Sequence, residues 1–220
     1  MNDPFSIRSL ARSRNVTTLL FMFVALVIAQ AFFLLLLSLH GASQFNTDLF
    51  IWVNRFYWPP LPVTTALIEL PAEWFGVLFA LILAYFGRYE LALCILIAIA
   101  IEVVYVPVAK DLSALPRPFV SLNGIRAAYY PSDFSFPSGH AVGAFAAFSA
   151  WCFREKKHYV PLLGFAALIG ISRIYIGVHF PFDVIAGTVI GLIIGFSVAR
   201  LDLTLIMHWL WGRFGRAEDR

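Results

Sequence analysis

The residues best suited to chemistry fall in two stretches of the chain. Lys110, Asp111, Arg117, Pro118, Arg126, Asp133, Ser138, Gly139 and His140 lie in the first, and Ser172, Arg173, His179 and Asp183 in the second. Lys110, Arg117 and Arg173 are fixed cations suited to a ligand carrying more than one negative charge, and the arginine fork pairs well with phosphate oxygens. Pro137 is expected in the first turn of a helix, so that the backbone N–H groups of Ser138 and Gly139 point out of its N-terminus at an anion, with Gly139 allowing close approach. Two histidines beside such a pocket can divide phosphoryl transfer, one attacking phosphorus and the other protonating the leaving oxygen. Pro181 favours a helix start that puts Asp183 in the first turn with His179 just ahead of it, where a carboxylate can hold one ring nitrogen and leave the other as nucleophile. The residues thus read as His179 nucleophile, His140 general acid and Asp183 support, with the cations and the helix N-terminus stabilising the equatorial oxygens of the transition state. Each residue alone also fits an interfacial anchor or a helix-end polar group; the convergence of the set carries the reading. There is no HExxH motif and no cysteine-rich ligand set, so no metal and no cofactor is expected.

Convergence requires elements that bring both stretches to one place. Of 220 residues, 60% are hydrophobic, 16% aromatic and 13% charged, and the mean hydropathy is +0.81. This excludes a water-soluble single domain, disorder and a coiled coil. The formal charge of +3 comes from Lys and Arg at the ends of apolar runs, which reads as membrane topology, with no nucleic-acid partner. Apolar windows near 17–38, 62–86, 90–109, 138–153, 159–177 and 183–205 predict six spanning helices in one membrane-embedded domain over residues 1–220. The fourth window is short. The run from Val16 to Leu39 is too long for the apolar core of a signal peptide, so an uncleaved first span is expected. With a cytoplasmic N-terminus, Arg8, Arg12, Arg14, Arg88, Arg154, Lys156, Lys157, Arg200, Arg213, Arg216 and Arg220 fall inside, against Arg55, Lys110, Arg117, Arg126 and Arg173 outside. Both termini are therefore expected in the cytoplasm. Both polar stretches then emerge outside, at the ends of spans three to six, where ionisable groups at membrane depth are expensive and usually functional.

At these positions the chain resembles the type-2 phosphatidate phosphatase superfamily of integral-membrane lipid phosphatases, relatives of the vanadium haloperoxidases. The resemblance rests on Lys110, six residues, Arg117-Pro118; on Pro137-Ser138-Gly139-His140; and on Ser172-Arg173, five residues, His179, three residues, Asp183. It implies an all-helical six-span fold with the active site at the outer ends of helices 3 to 6. It further implies a phosphohistidine on His179 supported by Asp183, proton donation by His140, and phosphate binding by Lys110, Arg117, Ser138, Gly139 and Arg173, with Ser172 nearby and Pro118 and Pro137 shaping the loops. Bacterial members of similar size act on undecaprenyl diphosphate, phosphatidylglycerophosphate, phosphatidate or lipid A at the outer side of the inner membrane. Undecaprenyl diphosphate is the first expectation, since the short stretch between Pro118 and Pro137 leaves little room for an added head-group domain. The expected location is a bacterial plasma membrane.

Other features remain open at this level. A phosphotransferase would use the same phosphohistidine with a second lipid as acceptor, a binding protein would hold phosphate without turnover, and a vanadate-dependent oxidase is disfavoured by the six apolar spans. Glu69, Glu73 and Glu102 either pair with the cationic pocket and border the lipid access or are partnered within the bundle. Pro107 is placed to kink span three. Residues 48–58 suit either a short interfacial helix or an aromatic belt, and residues 201–211 either extend the last helix or lie along the inner surface. Gly187, Gly191 and Gly195 form a ladder for close helix contact, read as packing within the bundle, with a homodimer permitted but not indicated. Cys94 and Cys152 read as packing residues, and His40, His158 and His208 as interfacial ones.

Overall fold

A computed structural model describes residues 4–56, 72–204 and 206–208. Every regular element among the described residues is helical: α1 (Pro4–Ser38), α2 (His40–Asn54), α3 (Ala72–Tyr85), α4 (Tyr89–Ser113), the single turn α5 (Pro118–Ser121), α6 (Gly139–Glu155), α7 (Tyr159–Tyr175) and α8 (Pro181–Ala199). Three stretches are long and apolar enough to cross a bilayer, namely Arg12–Ser38, Tyr89–Ser121 and Pro181–Ala199, and Trp74–Tyr85 and Tyr159–Tyr175 are shorter apolar helices.

The centre of the bundle is α6. Ala141, Val142, Gly143, Ala144, Phe145, Ala146, Ala147, Phe148, Ser149 and Ala150 are all buried in an unbroken row, so this helix faces protein on every side. That explains why its window looked short. A central helix packed through alanine and glycine needs little lipid-facing apolar surface. The outer helices show the complement, with Leu20, Phe23 and Ile28 of α1, Val104 of α4 and Leu168 of α7 all exposed, as lipid-facing side chains should be.

The closest packing runs between α6 and α8. A methyl group added at Gly187 would lie 2.8 Å from the Ser138 carbonyl oxygen, and one at Gly191 would lie 2.6 Å from that of Val142. At Gly195 it would collide with Ser149 and come within 2.7 Å of the Ala146 carbonyl oxygen. The glycine ladder therefore seats α8 directly on the α6 backbone, inside the bundle. This contact joins the N-terminal ends of α6 and α8, which carry His140 and Asp183.

Several boundaries differ from the sequence expectation. The first helix begins well before residue 17, and α4 runs on to Ser113, so that Lys110 sits in its last turn and Pro107 lies inside it. Of the two readings of residues 48–58, a short helix is present over the described part, but it begins at His40, immediately after α1, and ends at Asn54. The sixth helix stops at Ala199 instead of reaching 205, residues 201–203 are not helical, and a separate helical stretch follows. Arg154 accounts for the stop, since its Nη1 donates to the carbonyl oxygens of Ala199 at 2.9 Å and Leu201 at 3.0 Å, satisfying helix-end acceptors. Residues 62–71, including Glu69, lie outside the described residues, as does the side chain of Glu73. Cys94 and Cys152 are buried free thiols.

Candidate active site

Four helix ends meet at one end of the bundle: the C-termini of α4 and α7 and the N-termini of α6 and α8. Each delivers one or two of the sequence-predicted residues. Lys110 comes from the last turn of α4 and Arg173 from the last turn of α7. His140 is the second residue of α6, and Asp183 the third of α8. Arg117 owes its position to the next residue: Pro118, buried, starts the single turn α5, and its ring clashes with a helical backbone at Arg117, which is extended at the N-cap.

His179 lies in the turn between α7 and α8 and is 3% exposed. Its backbone N–H donates to the Arg173 carbonyl oxygen at 3.3 Å. Its Nε2 faces Arg117 Nη1 at 3.3 Å. A guanidinium only donates, so Nε2 is the acceptor and the proton of the neutral ring is on Nδ1. Nδ1 lies 3.4 Å from Ser135 Oγ and 3.5 Å from Asp183 Oδ2. Ser135 Oγ in turn donates to Asp183 Oδ2 at 2.5 Å, and the same carboxylate oxygen accepts the Phe180 N–H at 2.8 Å. Asp183 therefore caps its own helix and anchors a short chain through Ser135 to His179. Burial first, and then the positive charges of Arg117, Lys110 and Arg173, push the His179 pKa well below the usual imidazole value. The ring is neutral at neutral pH, with its Nε2 lone pair directed at Arg117.

Arg117 and Lys110 share a partner that the sequence reading did not assign. Asp133 Oδ1 accepts from Arg117 Nη2 at 2.6 Å, and its Oδ2 pairs closely with Lys110 Nζ. Arg117 Nε also donates to the Asp133 carbonyl oxygen at 2.9 Å, and Nη1 to that of Val178 at 2.8 Å. Partial burial pushes the Asp133 carboxyl up, but the hydrogen bond from Lys110 and the charges of Lys110 and Arg117 outweigh it and hold the pKa below the usual carboxylate range.

Ser172 acquires a function here: its Oγ accepts from Arg173 Nε at 3.1 Å and Nη2 at 3.0 Å, and donates to the Ile169 carbonyl oxygen at 2.6 Å. It fixes the guanidinium of Arg173, which is 4% exposed. The N-terminus of α6 differs from expectation. Pro137 precedes the N-cap Ser138 and is not in the first turn. The Ser138 N–H donates to the Asp183 carbonyl oxygen at 3.1 Å, because the Gly187 contact brings the α8 backbone that close, so it does not point at the pocket. The Ser138 Oγ, however, is buried with no hydrogen-bond partner among the described residues. The first-turn N–H groups from Gly139 onward have no intrahelical acceptor.

A cavity of about 350 Å³ is lined by Glu102, Lys110, Arg117, Asp133, Gly139, His140 and His179 on its polar side, whereas Arg173 and Ser138 are buried and are not among its lining residues. Val103, Val106 and Pro107 of α4 form its apolar wall, and Val103 is half exposed on the flank of the bundle. The cavity thus reaches from the charged cluster toward the lipid-facing surface. A larger cavity of about 620 Å³, lined by Arg88, Glu90, Arg154, Glu155 and Lys157, lies at the opposite end of α4 and α6. There the ion pairs Arg88–Glu155 and Arg154–Glu90 tie the helix ends together, and no histidine lines it.

The sequence model of the PAP2 superfamily matches residues 91–211, more than half of the chain and all of the site residues. The chain belongs to the PAP2 superfamily. It is 42% identical over 87 residues to undecaprenyl-diphosphatase BcrC of Bacillus subtilis, covering 40% of this chain and 45% of that protein. To the undecaprenyl-diphosphatase of Sulfolobus acidocaldarius it is 33% identical over 131 residues, covering 57% of this chain and 62% of that one. The chain thus spans about half the length of these relatives. In fold it is similar to a transmembrane PAP2-type phosphatidylglycerolphosphate phosphatase from Bacillus subtilis, with a TM-score of 0.58 over 84% of this chain and 94% of that one at 21% identity. This PAP2 protein is an all-α membrane protein.

Proposed function

We propose that this PAP2 protein is a lipid phosphate or diphosphate phosphatase that works through a phosphohistidine on His179, and that undecaprenyl diphosphate is its substrate. The observation that carries the chemistry is the orientation of His179: Nδ1 is held from the Ser135–Asp183 side, and Nε2 faces Arg117 in a cavity shared with Lys110 and His140. In this reading Nε2 attacks phosphorus while His140 passes a proton to the bridging oxygen as the P–O bond breaks. Water then attacks the phosphohistidine, giving its proton to His140 and releasing phosphate, and both histidines return to their starting forms. Lys110, Arg117 and Arg173 neutralise the equatorial oxygens, with the Ser138 hydroxyl and the Gly139 N–H as further donors.

The substrate is inferred from two of the relatives, both undecaprenyl-diphosphatases. The cavity supports a lipid, since its charged floor suits a phosphate and its Val103–Val106–Pro107 wall suits the start of an apolar tail. We further place the protein in a bacterial plasma membrane as one six-span domain over residues 1–220, with both termini in the cytoplasm and the site on the outer side. The basic residues clustered at the end of the bundle away from the site support that orientation.

The test is phosphate release by the purified protein in detergent from undecaprenyl diphosphate, phosphatidylglycerophosphate and phosphatidate, with EDTA present and His179→Ala alongside. Release that persists in EDTA, is greatest with undecaprenyl diphosphate and vanishes in the variant is expected. Greater release from phosphatidylglycerophosphate would reassign the substrate to that of the fold relative. Activity retained in His179→Ala would overturn the mechanism.

A further inference from the structure

We propose that Glu102 is the positioning residue of the general acid: its carboxylate holds the His140 imidazole on the leaving-group side of the cavity. The inference rests on the phosphohistidine reading above and assigns a function to a residue outside the three sequence motifs.

Glu102 lies two turns before Lys110 on α4 and is 1% exposed. A carboxylate at that depth is costly and is retained where a charge or a hydrogen-bond donor answers it. It lines the same cavity as His140 and His179. It also stands against the start of α6: a methyl group at Gly139, the residue before His140, would lie 3.8 Å from Glu102 Oε1. The same point lies 3.3 Å from Val106 Cγ1, and Val106 is one turn along α4 from Glu102, on the way to Lys110. The two carboxylates lining the cavity are therefore divided, with Asp133 on Lys110 and Arg117 and Glu102 at the α6 N-terminus.

This division matches the two tasks. A histidine that acts as acid needs one ring nitrogen fixed so that the other presents its proton to the leaving oxygen, and a carboxylate acceptor does this. His179 has Asp183, through Ser135, for the equivalent purpose. When the P–O bond breaks, the His140 proton moves to the leaving oxygen; when water attacks the phosphohistidine, the water proton returns to His140. Glu102 neither gains nor loses a proton in either step and makes no bond to substrate.

The test follows the first turnover, in which the leaving group departs as the phosphohistidine forms, in wild type, Glu102→Gln, Glu102→Leu and His140→Ala, on phosphatidate, whose alkoxide leaving group needs a proton, and on p-nitrophenyl phosphate, whose leaving group departs without one. His140→Ala should lose about 100-fold or more in the first-turnover rate on phosphatidate, in the range of a lost general acid. The Glu102 variants should lose about 10-fold or more, with Leu worse than Gln, by the same reasoning. The two Glu102 variants should keep first-turnover release of p-nitrophenolate within about threefold of wild type, because that step needs no acid and Glu102 does not touch the substrate, whereas steady-state turnover should fall with both substrates, since the water proton goes to His140 whatever the leaving group. Glu102 variants whose first turnover matches wild type on both substrates, or falls equally on both, would overturn the proposal while leaving the mechanism intact. If His140→Ala itself shows no dependence on the leaving group, the acid assignment falls and this proposal with it. A thermal unfolding curve for each variant separates lost folding from lost catalysis, and Glu102→Gln keeps the side-chain volume in case the leucine variant does not fold.

Discussion

The ion pairs around Asp133 make a prediction whose sign distinguishes two functions for that residue. Its carboxylate is bound by Lys110 and Arg117, the same cations that the mechanism assigns to phosphate. If Asp133 competes with phosphate, Asp133→Asn releases both cations and strengthens oxyanion binding; if it only orients them, the substitution weakens binding. The structure favours competition. Arg117 retains two backbone acceptors independent of the Asp133 carboxylate, the carbonyl oxygens of Val178 and of residue 133 itself, so it stays in place when the side chain is neutral. The Asp133 side chain is 50% exposed, against 9% for Lys110 and 4% for Arg117, so the pairs are half solvated and each is worth about 0.5–1 kcal/mol, the upper part of the range for exposed pairs. Two such pairs give about 1–2 kcal/mol, or about 5- to 30-fold in affinity. The assay is inhibition by orthovanadate and by inorganic phosphate at fixed ionic strength, wild type against Asp133→Asn. Inhibition constants that fall by about that factor are expected, with the larger effect at low salt because exposed charges are screened. Constants that are unchanged, or that rise, would refute the competition argument.

Three further outcomes are expected from the same geometry. Ser135→Ala removes the hydroxyl between His179 Nδ1 and Asp183; a lost hydrogen bond to a charged group is worth about 1.5–3 kcal/mol, so kcat should fall by about 10- to 100-fold with KM little changed, measured by steady-state phosphate release. Gly191→Val would put a methyl 2.6 Å from the Val142 carbonyl oxygen and 2.9 Å from the Ala146 N; backbone cannot yield as a side-chain end can, so a loss of about 3 kcal/mol or more is expected, read as a lowered unfolding temperature in detergent, while Gly164→Ala, with open space around it, should be near neutral. His179 has a pKa lowered in the folded state, so between that value and the unfolded value near 6.5 the unfolded chain binds more protons. Stability should therefore fall as pH drops from about 6.5 through the depressed folded-state pKa, and His179→Asn should flatten that part of the pH–Tm curve.

The parts of this site that were legible in the sequence share a physical origin. His179 and Asp183 are four apart around a helix start marked by Pro181, and Arg117 precedes a proline that fixes its backbone, so their relation is local and spacing alone conveys it. The gathering of Lys110, His140, Arg173 and Asp183 at one end of the bundle results from the count of apolar windows, because alternate crossings return chain ends to the same side. The pairing of Asp133, a residue seen but given no task, and the presence of Ser135 were not legible for the opposite reason. Both residues sit in a loop whose path is set by contacts far along the chain, such as the Ser135 N–H on the Leu115 carbonyl oxygen and the Ser113 hydroxyl on that of Phe136. No period or cap announces which loop carboxylate turns inward, and Asp133 looks the same in sequence as the nearby Asp111.

The misjudged Ser138 N–H has the most general cause. A helix N-terminus seen in sequence presents its N–H groups to whatever lies ahead of it, and a phosphate was the expected occupant. The α8 backbone lies ahead of Ser138 instead, brought there by Gly187, whose missing side chain lets the two helices approach to contact. Both signals were visible, the glycine ladder and the Pro137-Ser138-Gly139-His140 run, but their interaction was not, because it depends on the register between two helices that only packing decides. That packing also couples structure to chemistry. The N–H taken from the pocket becomes the bond that ties the helix carrying His140 to the carbonyl of Asp183, so His140 and the Asp183–Ser135–His179 chain are held by one backbone contact. A substitution that pushes α8 away from α6 near Gly187 should therefore cost activity before it costs the fold.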